Sequence, residues 1–234
     1  MLTLAVDTSS ATESVALLAD REILAERTAR VLTNHAASLI PSIDSILSSC
    51  GVKISDIDLY ALTVGPGSFT GLRIAASTIK GLAFSSGKPM VGVSTLEALA
   101  CNAVPTPYPV CPLMDARRKE VYAALYRIRD NGYPERVLAD RVVAPEKFIA
   151  NTPERTLFLG EGARKYSQVI ADLNPSGVVF GKPGSEFVRA ANVGLLGVDL
   201  YSKGQTLDLI TFSPAYLRLP QAEENKAGRS PQHT

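Results

Sequence analysis

The 234-residue chain sets 24 Lys and Arg against 23 Asp and Glu, a formal net charge of +1, and 46% of its residues are hydrophobic. That supports one large domain or two lobes of about 110 residues, and it argues against a broad basic face able to grip nucleic acid unaided. The first ten residues carry no basic leader and no apolar run approaches the ~18 residues of a membrane span, so a soluble, cytoplasmic protein without membrane contact is expected.

In chain order, Leu2 to Asp7 reads as a short apolar strand ending in the polar turn Asp7-Thr8-Ser9-Ser10. Ser14–Ala19 and Glu22–Thr28 form the next two strands, joined at Asp20-Arg21 by a tight hairpin turn. From Asn34 the period changes. Ala36, Leu39, Ile40, Ile43, Ile46 and Leu47 recur at helical spacing to about Cys50, and Pro41 should kink the first turns unless the helix begins later. A strand at Leu59–Val64, the turn Gly65-Pro66-Gly67, a helix over about 70–86 and a short strand Met90–Val93 follow. Ser94 then caps another helix, with Glu97 placed for a capping box.

Pro105, Pro107 and Pro109 mark a change of unit. Val110–Asp115 is again an apolar strand ending in Asp, and Glu120–Arg127 and Glu135–Val143 read as the next two. Pro145 opens a short helix. Thr156–Leu159, a helix over 163–173, Val178–Phe180 and a helix over about 185–201 complete the set. The order βββαβαβα thus occurs twice, giving lobes at 1–104 and 105–220. Residues 221–234 contain no Leu, Ile, Val, Phe or Tyr and are expected to be a disordered tail.

The twice-repeated order, each copy opening on a strand that ends in Asp (Asp7, Asp115), resembles the α/β, two-lobed, ribonuclease H-like fold of the actin-like ATPases. The run Val64-Gly65-Pro66-Gly67-Ser68-Phe69-Thr70-Gly71-Leu72-Arg73 narrows that resemblance. With Asp7-Thr8-Ser9, Ile40-Pro41-Ser42-Ile43-Asp44, Gly81-Leu82-Ala83, the Val91–Leu99 stretch, Met114-Asp115-Ala116-Arg117-Arg118 and Pro214-Ala215-Tyr216-Leu217-Arg218, the chain is similar to the TsaB (YeaZ) family. The match runs from residue 2 to about 218, dense in the first half and sparse between about 130 and 210. The resemblance implies a scaffold that forms homodimers alone and a heterodimer with TsaD. TsaD would transfer a threonylcarbamoyl group to N6 of adenosine 37 in ANN-decoding tRNAs, with TsaE as ATPase, so this chain would meet tRNA indirectly.

The segment Gly65–Gly71 follows a strand and opens a helix, so its N–H groups could cradle an anion. It matches neither phosphate-loop nor dinucleotide fingerprint, and a turn with positive φ at Gly65 and Gly67 is the preferred reading. The next helix carries more apolar residues than one stripe needs, and Gly71, Ala75, Ala76 and Gly81 are small enough to admit another helix. Arg73, in its first turns, invites a partner's carboxylate. Because the family pairs through its first two helices, here 34–50 and 70–86, the resemblance makes Leu39, Ile43, Phe69, Leu72, Arg73, Ala76 and Lys80 candidate interface residues.

TsaD, by the same resemblance, carries an HxxxH metal pair where this chain has Thr95 and Leu99. Leucine offers no ligand atom, and the whole chain holds two histidines, His35 and His233. No metal, cofactor or catalytic residue is therefore expected. His35 reads as a surface or capping residue with no acidic partner assignable, which leaves a protease reading without a constellation. Asp7 and Asp115 are weak nucleotide-site candidates, since Asp commonly serves the turn that follows it. Arg117-Arg118-Lys119 reads as a solvated basic hairpin tip, with a tRNA or partner contact as the alternative. Cys50, Cys101 and Cys111 read as reduced core thiols. The rival functions are a nucleotide-dependent kinase-like enzyme or ATPase, a metalloprotease, and a homodimeric interaction protein unrelated to tRNA.

Overall fold

A computed structural model describes residues 1–31, 34–103, 106–153, 155–174, 177–215 and 217. The chain opens as a meander, β1 (Leu2–Asp7), β2 (Thr12–Ala19) and β3 (Glu22–Arg30). Asp20 takes φ 52° at the hairpin between the last two, a conformation Asp tolerates better than most residues. Helix α1 (His35–Ser49) begins where the Asn34 side chain accepts the Ala36 N–H. It runs through Pro41 from this early start. Pro41 and Ala37, whose carbonyl loses its helical donor, are both exposed, so water can take that bond.

Strand β4 (Leu59–Gly65), helix α2 (Phe69–Ser86), strand β5 (Met90–Ser94) and helix α3 (Thr95–Ala100) complete the first copy. Gly87 closes α2 in the left-handed conformation, φ 66°. Ser94 Oγ accepts the Glu97 N–H at 3.4 Å, while the Glu97 carboxylate pairs with Arg136. The second copy is β6 (Val110–Arg117), β7 (Glu120–Ile128), β8 (Pro134–Val143), α4 (Pro145–Ile149), β9 (Thr156–Leu159), α5 (Glu161–Lys165), α6 (Ser167–Leu173), β10 (Val178–Phe180) and α7 (Ala190–Ser202). The helix expected over 163–173 is two helices meeting at Tyr166. Gly162 holds α5 against the Leu113 backbone, whereas α6 packs on α4. The last helix starts five residues later than its pattern suggests, because residues 185–188 are tied to Asn102, whose Nδ2 donates to the Phe187 carbonyl at 2.6 Å.

Each copy folds into a five-stranded sheet of one topology, β3-β2-β1-β4-β5 in the first and β8-β7-β6-β9-β10 in the second. The meanders pair antiparallel, and β1–β4–β5 and β6–β9–β10 pair parallel. Alternation sorts β1 and β2 cleanly. Leu4, Val6, Val15 and Leu17 face α1 and α2, while Ala5, Ala16 and Leu18 face the opposite side.

That opposite side holds an exchange that the repeat alone does not announce. Helix α7, last in the second copy, packs on β1, β2 and β4 of the first sheet. Helix α3, last in the first copy, packs on β6, β7 and β8 of the second. Gly194 lets α7 approach Leu18 and Ala5, and Gly197 lets it approach Ala61 and Val91, where a Cβ would stand 2.7 Å from Ala61 Cβ. A shared core forms, in which Leu96, Leu99, Val193 and Leu196 join residues of both sheets. After α7 the chain returns past β5 to the end of β4, with Leu207 N–H donating to the Met90 carbonyl and Ala215 N–H to the Val64 carbonyl. Among the described residues no helix is long and apolar enough to cross a membrane. The tail expected over 221–234 lies outside the described residues.

Candidate functional site

Where β1 ends, the loop after β4 closes onto the Asp7-Thr8-Ser9 turn. Ser68 N–H donates to the Ser9 carbonyl at 2.7 Å, and Thr8 Oγ1 donates to the Gly71 carbonyl at 2.7 Å. Three glycines make the approach possible. A Cβ at Gly65, Gly67 or Gly71 would stand 2.4, 2.5 and 1.9 Å from the carbonyl oxygens of Ala215, Ser9 and Thr8 respectively. Gly65 has the expected positive φ, 122°. Gly67 does not, and it is required for closeness instead. The loop is therefore a clasp over the first turn. Ser68 Oγ caps α2 by accepting the Gly71 N–H, so these donors serve the fold and are not presented to a phosphate.

Asp7 lies beneath the clasp, fully buried. Its Oδ1 accepts the Ser9 N–H at 3.2 Å and the Thr63 hydroxyl at 2.7 Å, while Oδ2 has no partner. Burial raises its pKa above the ordinary carboxylate value, and the Ser9 and Thr63 donors oppose that shift. Asp115 repeats the turn, its Oδ1 accepting the Arg117 N–H at 3.0 Å, but it is partly exposed and its Oδ2 is ion-paired with Lys165 at 2.7 Å. Both aspartates thus accept a backbone N–H of the turn that follows them.

Between the two turns opens a cleft of about 700 Å³, lined by Ser10, Ser68, Phe69 and Thr70 on one side and by Arg117, Arg118 and Tyr122 on the other. An actin-like fold would seat a magnesium nucleotide between the paired aspartates. The residues here do not fit that arrangement: Asp7 is sealed under the clasp, and Asp115 is neutralised by Lys165.

His35 is the first residue of α1 and mostly buried. Its Nε2 lies 2.9 Å from the Ser10 carbonyl, and its Nδ1 is 3.7 Å from the Glu13 carboxylate. Glu13 is therefore the acidic neighbour that sequence reasoning missed. Its signal was parity, since Glu13 alternates with Val15 and Leu17 on the face that meets α1. Ser38 and Ser42 both donate to Glu13 at 2.6 Å. Their hydroxyls serve the carboxylate and not the imidazole, so neither serine forms a nucleophile–base pair with His35.

Thr95 and Leu99 are fully buried, the Thr95 hydroxyl without a partner and Leu99 against Gly160. Among the described residues no group of three His, Cys, Asp or Glu converges as a metal cage. Cys50, Cys101 and Cys111 are free, and burial pushes the Cys101 thiol up to about 12.

The seven candidate interface residues divide. Leu39, Ile43 and Ala76 are buried in the core of their own sheet and Leu72 is buried beside Gly65 of the clasp, a correction to their expected place at a surface. Gly71 and Ala75 are buried as well, so of the four small residues only Gly81 faces outward. Phe69, Arg73 and Lys80 reach the surface. Arg73 lies over the Phe69 ring at 4.4 Å, and Lys80 Nζ donates to the Phe212 carbonyl at 3.3 Å, pinning the returning segment. What α2 does expose is a stripe of Arg73, Ser77, Gly81 and Phe84, the last 74% exposed.

A family model described as TsaD: tRNA N6-adenosine threonylcarbamoyltransferase matches residues 22–180. A Bacillus subtilis protein named tRNA threonylcarbamoyladenosine biosynthesis protein TsaB is 33% identical, over 95% of this chain and 96% of its own length. The solved YeaZ from Pseudomonas aeruginosa superposes with a TM-score of 0.78 at 29% identity, covering 92% of this chain and 99% of that one. The activator of the 2-hydroxyisocaproyl-CoA dehydratase from Clostridium difficile, solved with bound ADPNP, superposes over 88% of this chain and 97% of its own with a TM-score of 0.52 at 12% identity. That last likeness concerns the fold alone, which is the actin-like ATPase fold.

Proposed function

This chain belongs to the TsaB (YeaZ) family, and from that premise we propose that it serves tRNA threonylcarbamoyladenosine synthesis as a non-catalytic subunit that activates TsaD by pairing with it. The pathway assignment follows the B. subtilis relative, whose match spans nearly the whole of both chains. The non-catalytic part is carried by one observation. The helix position at which a TsaD-type chain would present its metal ligands is filled here by Thr95 and Leu99, fully buried in the shared core.

Pairing would use the exposed stripe of α2, Arg73-Ser77-Gly81-Phe84, with the half-exposed Ile40 of α1. A face of that kind leaves Phe84 in water unless a second chain covers it. Phe69 and Lys80 border it; Leu39, Ile43, Leu72 and Ala76 support it from beneath. In the absence of TsaD the same stripe would pair two copies of this chain. TsaE would join the heterodimer, and adenosine 37 of the tRNA would be modified by TsaD. The division of labour is a population shift: this chain must bind the competent conformer of TsaD more tightly than the incompetent one. We also propose lobes at 1–104 and 105–220, with α3 and α7 exchanged between their sheets. Purified chain mixed with TsaD should elute as one heterodimer on size exclusion. Separate elution of the two at micromolar concentration contradicts the reading.

A further inference from the structure

The segment that follows α7 lies alongside α2 and is held there at three points. Leu207 N–H donates to the Met90 carbonyl at the start of β5, and Ala215 N–H donates to the Val64 carbonyl near the end of β4, both at 2.8 Å. Between these anchors Lys80 Nζ reaches from α2 to the carbonyls of Ile210 and Phe212, at 3.4 and 3.3 Å. Since β4 precedes α2 and β5 follows it, residues 207–215 run from the C-terminal end of that helix toward its N-terminal end. Helix α1 packs on β2 and β3, and α2 packs on β4. With the strap anchored at β5 and β4, α1, α2 and the strap stand side by side over one face of the first sheet.

The strap presents one apolar side chain outward. Leu207, Leu209 and Phe212 pack into the same core as the two helices. Asp208 Oδ1 accepts the N–H groups of Ile210 and Thr211 at 2.9 and 2.7 Å and the Thr211 hydroxyl at 3.0 Å, which fixes the turn. Ile210 is left 83% exposed, more than any other large hydrophobic side chain among the described residues, and Phe84 follows at 74%. Both lie against the same residue, since Phe84 is one turn beyond Lys80 on α2. Ile40 of α1 is 50% exposed. A lone apolar side chain on a surface is ordinary, but one on each of three neighbouring elements marks a contact face. Arg73, Asp208 and Asp44, which stands one turn from Ile40, give that face a charged rim.

We infer that residues 207–212 are the third element of the pairing face, and that Ile210 seats beside Phe84 in an apolar pocket of TsaD. The occupant rests on the pairing reading, because the strap is continuous with the α2 stripe through Lys80. The test is the affinity of the full chain for TsaD, measured by isothermal titration. Ile210→Asp and Ile210→Lys change a side chain that already stands in water, so both should keep the wild-type thermal midpoint. Each should bind TsaD about 10-fold more weakly, whatever the sign of the new charge, because what is lost is an apolar anchor. Val137→Asp, at an exposed apolar position on β8 of the second copy, should bind as the wild type does. Undiminished affinity in both Ile210 variants, a loss in only one of them, an equal loss in Val137→Asp, or a loss confined to self-association of this chain would each overturn the inference. Pairing itself is read from the wild type and Gly81→Arg, so Ile210 can fail while the pairing stands.

Discussion

The Glu26 carboxylate, on β3, accepts the backbone N–H of Ala191 in the first turn of α7 at 2.9 Å, across 165 residues of chain. Its other oxygen pairs with Arg189, and Ser14 Oγ accepts the neighbouring Ala190 N–H. Two side chains of the first meander thus satisfy the opening N–H groups of a helix that belongs to the second copy, where an acidic group is also favoured by the helix dipole. This is what fixes α7 on the first sheet. Glu26→Ala should lower stability by about 1–2 kcal/mol, read as a lower urea midpoint with unchanged m. Glu26→Gln, which retains an acceptor, should lose roughly half as much.

The glycine clasp separates two positions of one helix. Gly71→Ala puts a Cβ 1.9 Å from the Thr8 carbonyl oxygen, and backbone on both sides prevents relief, so a loss of about 3 kcal/mol is expected. Gly81 has nothing within 4 Å of its would-be Cβ, and Gly81→Ala should raise stability by about 0.5–1 kcal/mol. Similar midpoints for the two variants in urea denaturation would remove the clasp from the account.

Asp7 gives a pH signature. Its pKa in the folded chain lies above the ordinary 3.8, with burial as the main cause, so the folded state holds this proton more tightly than the unfolded one. The contribution is fully present below 3.8 and is lost as pH rises through the folded value. Wild type should therefore lose stability relative to Asp7→Asn across that window. Glu97 and Glu161, also raised by burial, act equally in both proteins and cancel in the comparison. A difference independent of pH contradicts a sealed Asp7.

The order of elements along the chain, the duplicated pattern and the turns after Asp7 and Asp115 were legible because each is set by local signals: period, Gly and Pro placement, an Asp at a strand end. The apolar faces of the helices were visible, but the side of each that would meet solvent was not. Leu39, Leu72 and Ala76 carry the periodicity of any buried stripe, and nothing in the sequence marks the opposite stripe ending at Phe84 as the exposed one. The α3–α7 exchange was hidden for a similar reason. Glu26 and Ser14 find their partners only when residues more than 160 positions apart are brought together. The Glu13–His35 contact was missed although parity placed Glu13 toward α1, since the pairing partner of a strand face cannot be read from its own alternation.

Gly81→Arg tests the pairing face without disturbing the core, since Gly81 is exposed and unobstructed. Its thermal midpoint should be no lower than that of wild type, while its affinity for TsaD, followed by analytical ultracentrifugation, should fall at least about 10-fold, a loss of about 1.4 kcal/mol or more. Ala76→Arg, by contrast, should unfold the first sheet, because Ala76 is only 6% exposed.

The most direct measurement is threonylcarbamoyladenosine formed on tRNA by TsaD and TsaE, with and without this chain. Turnover should require the chain, and the Gly81→Arg variant should fail to restore it at concentrations where wild type does. Equal turnover when the chain is left out, or product made by the chain alone, contradicts a subunit that acts by contact.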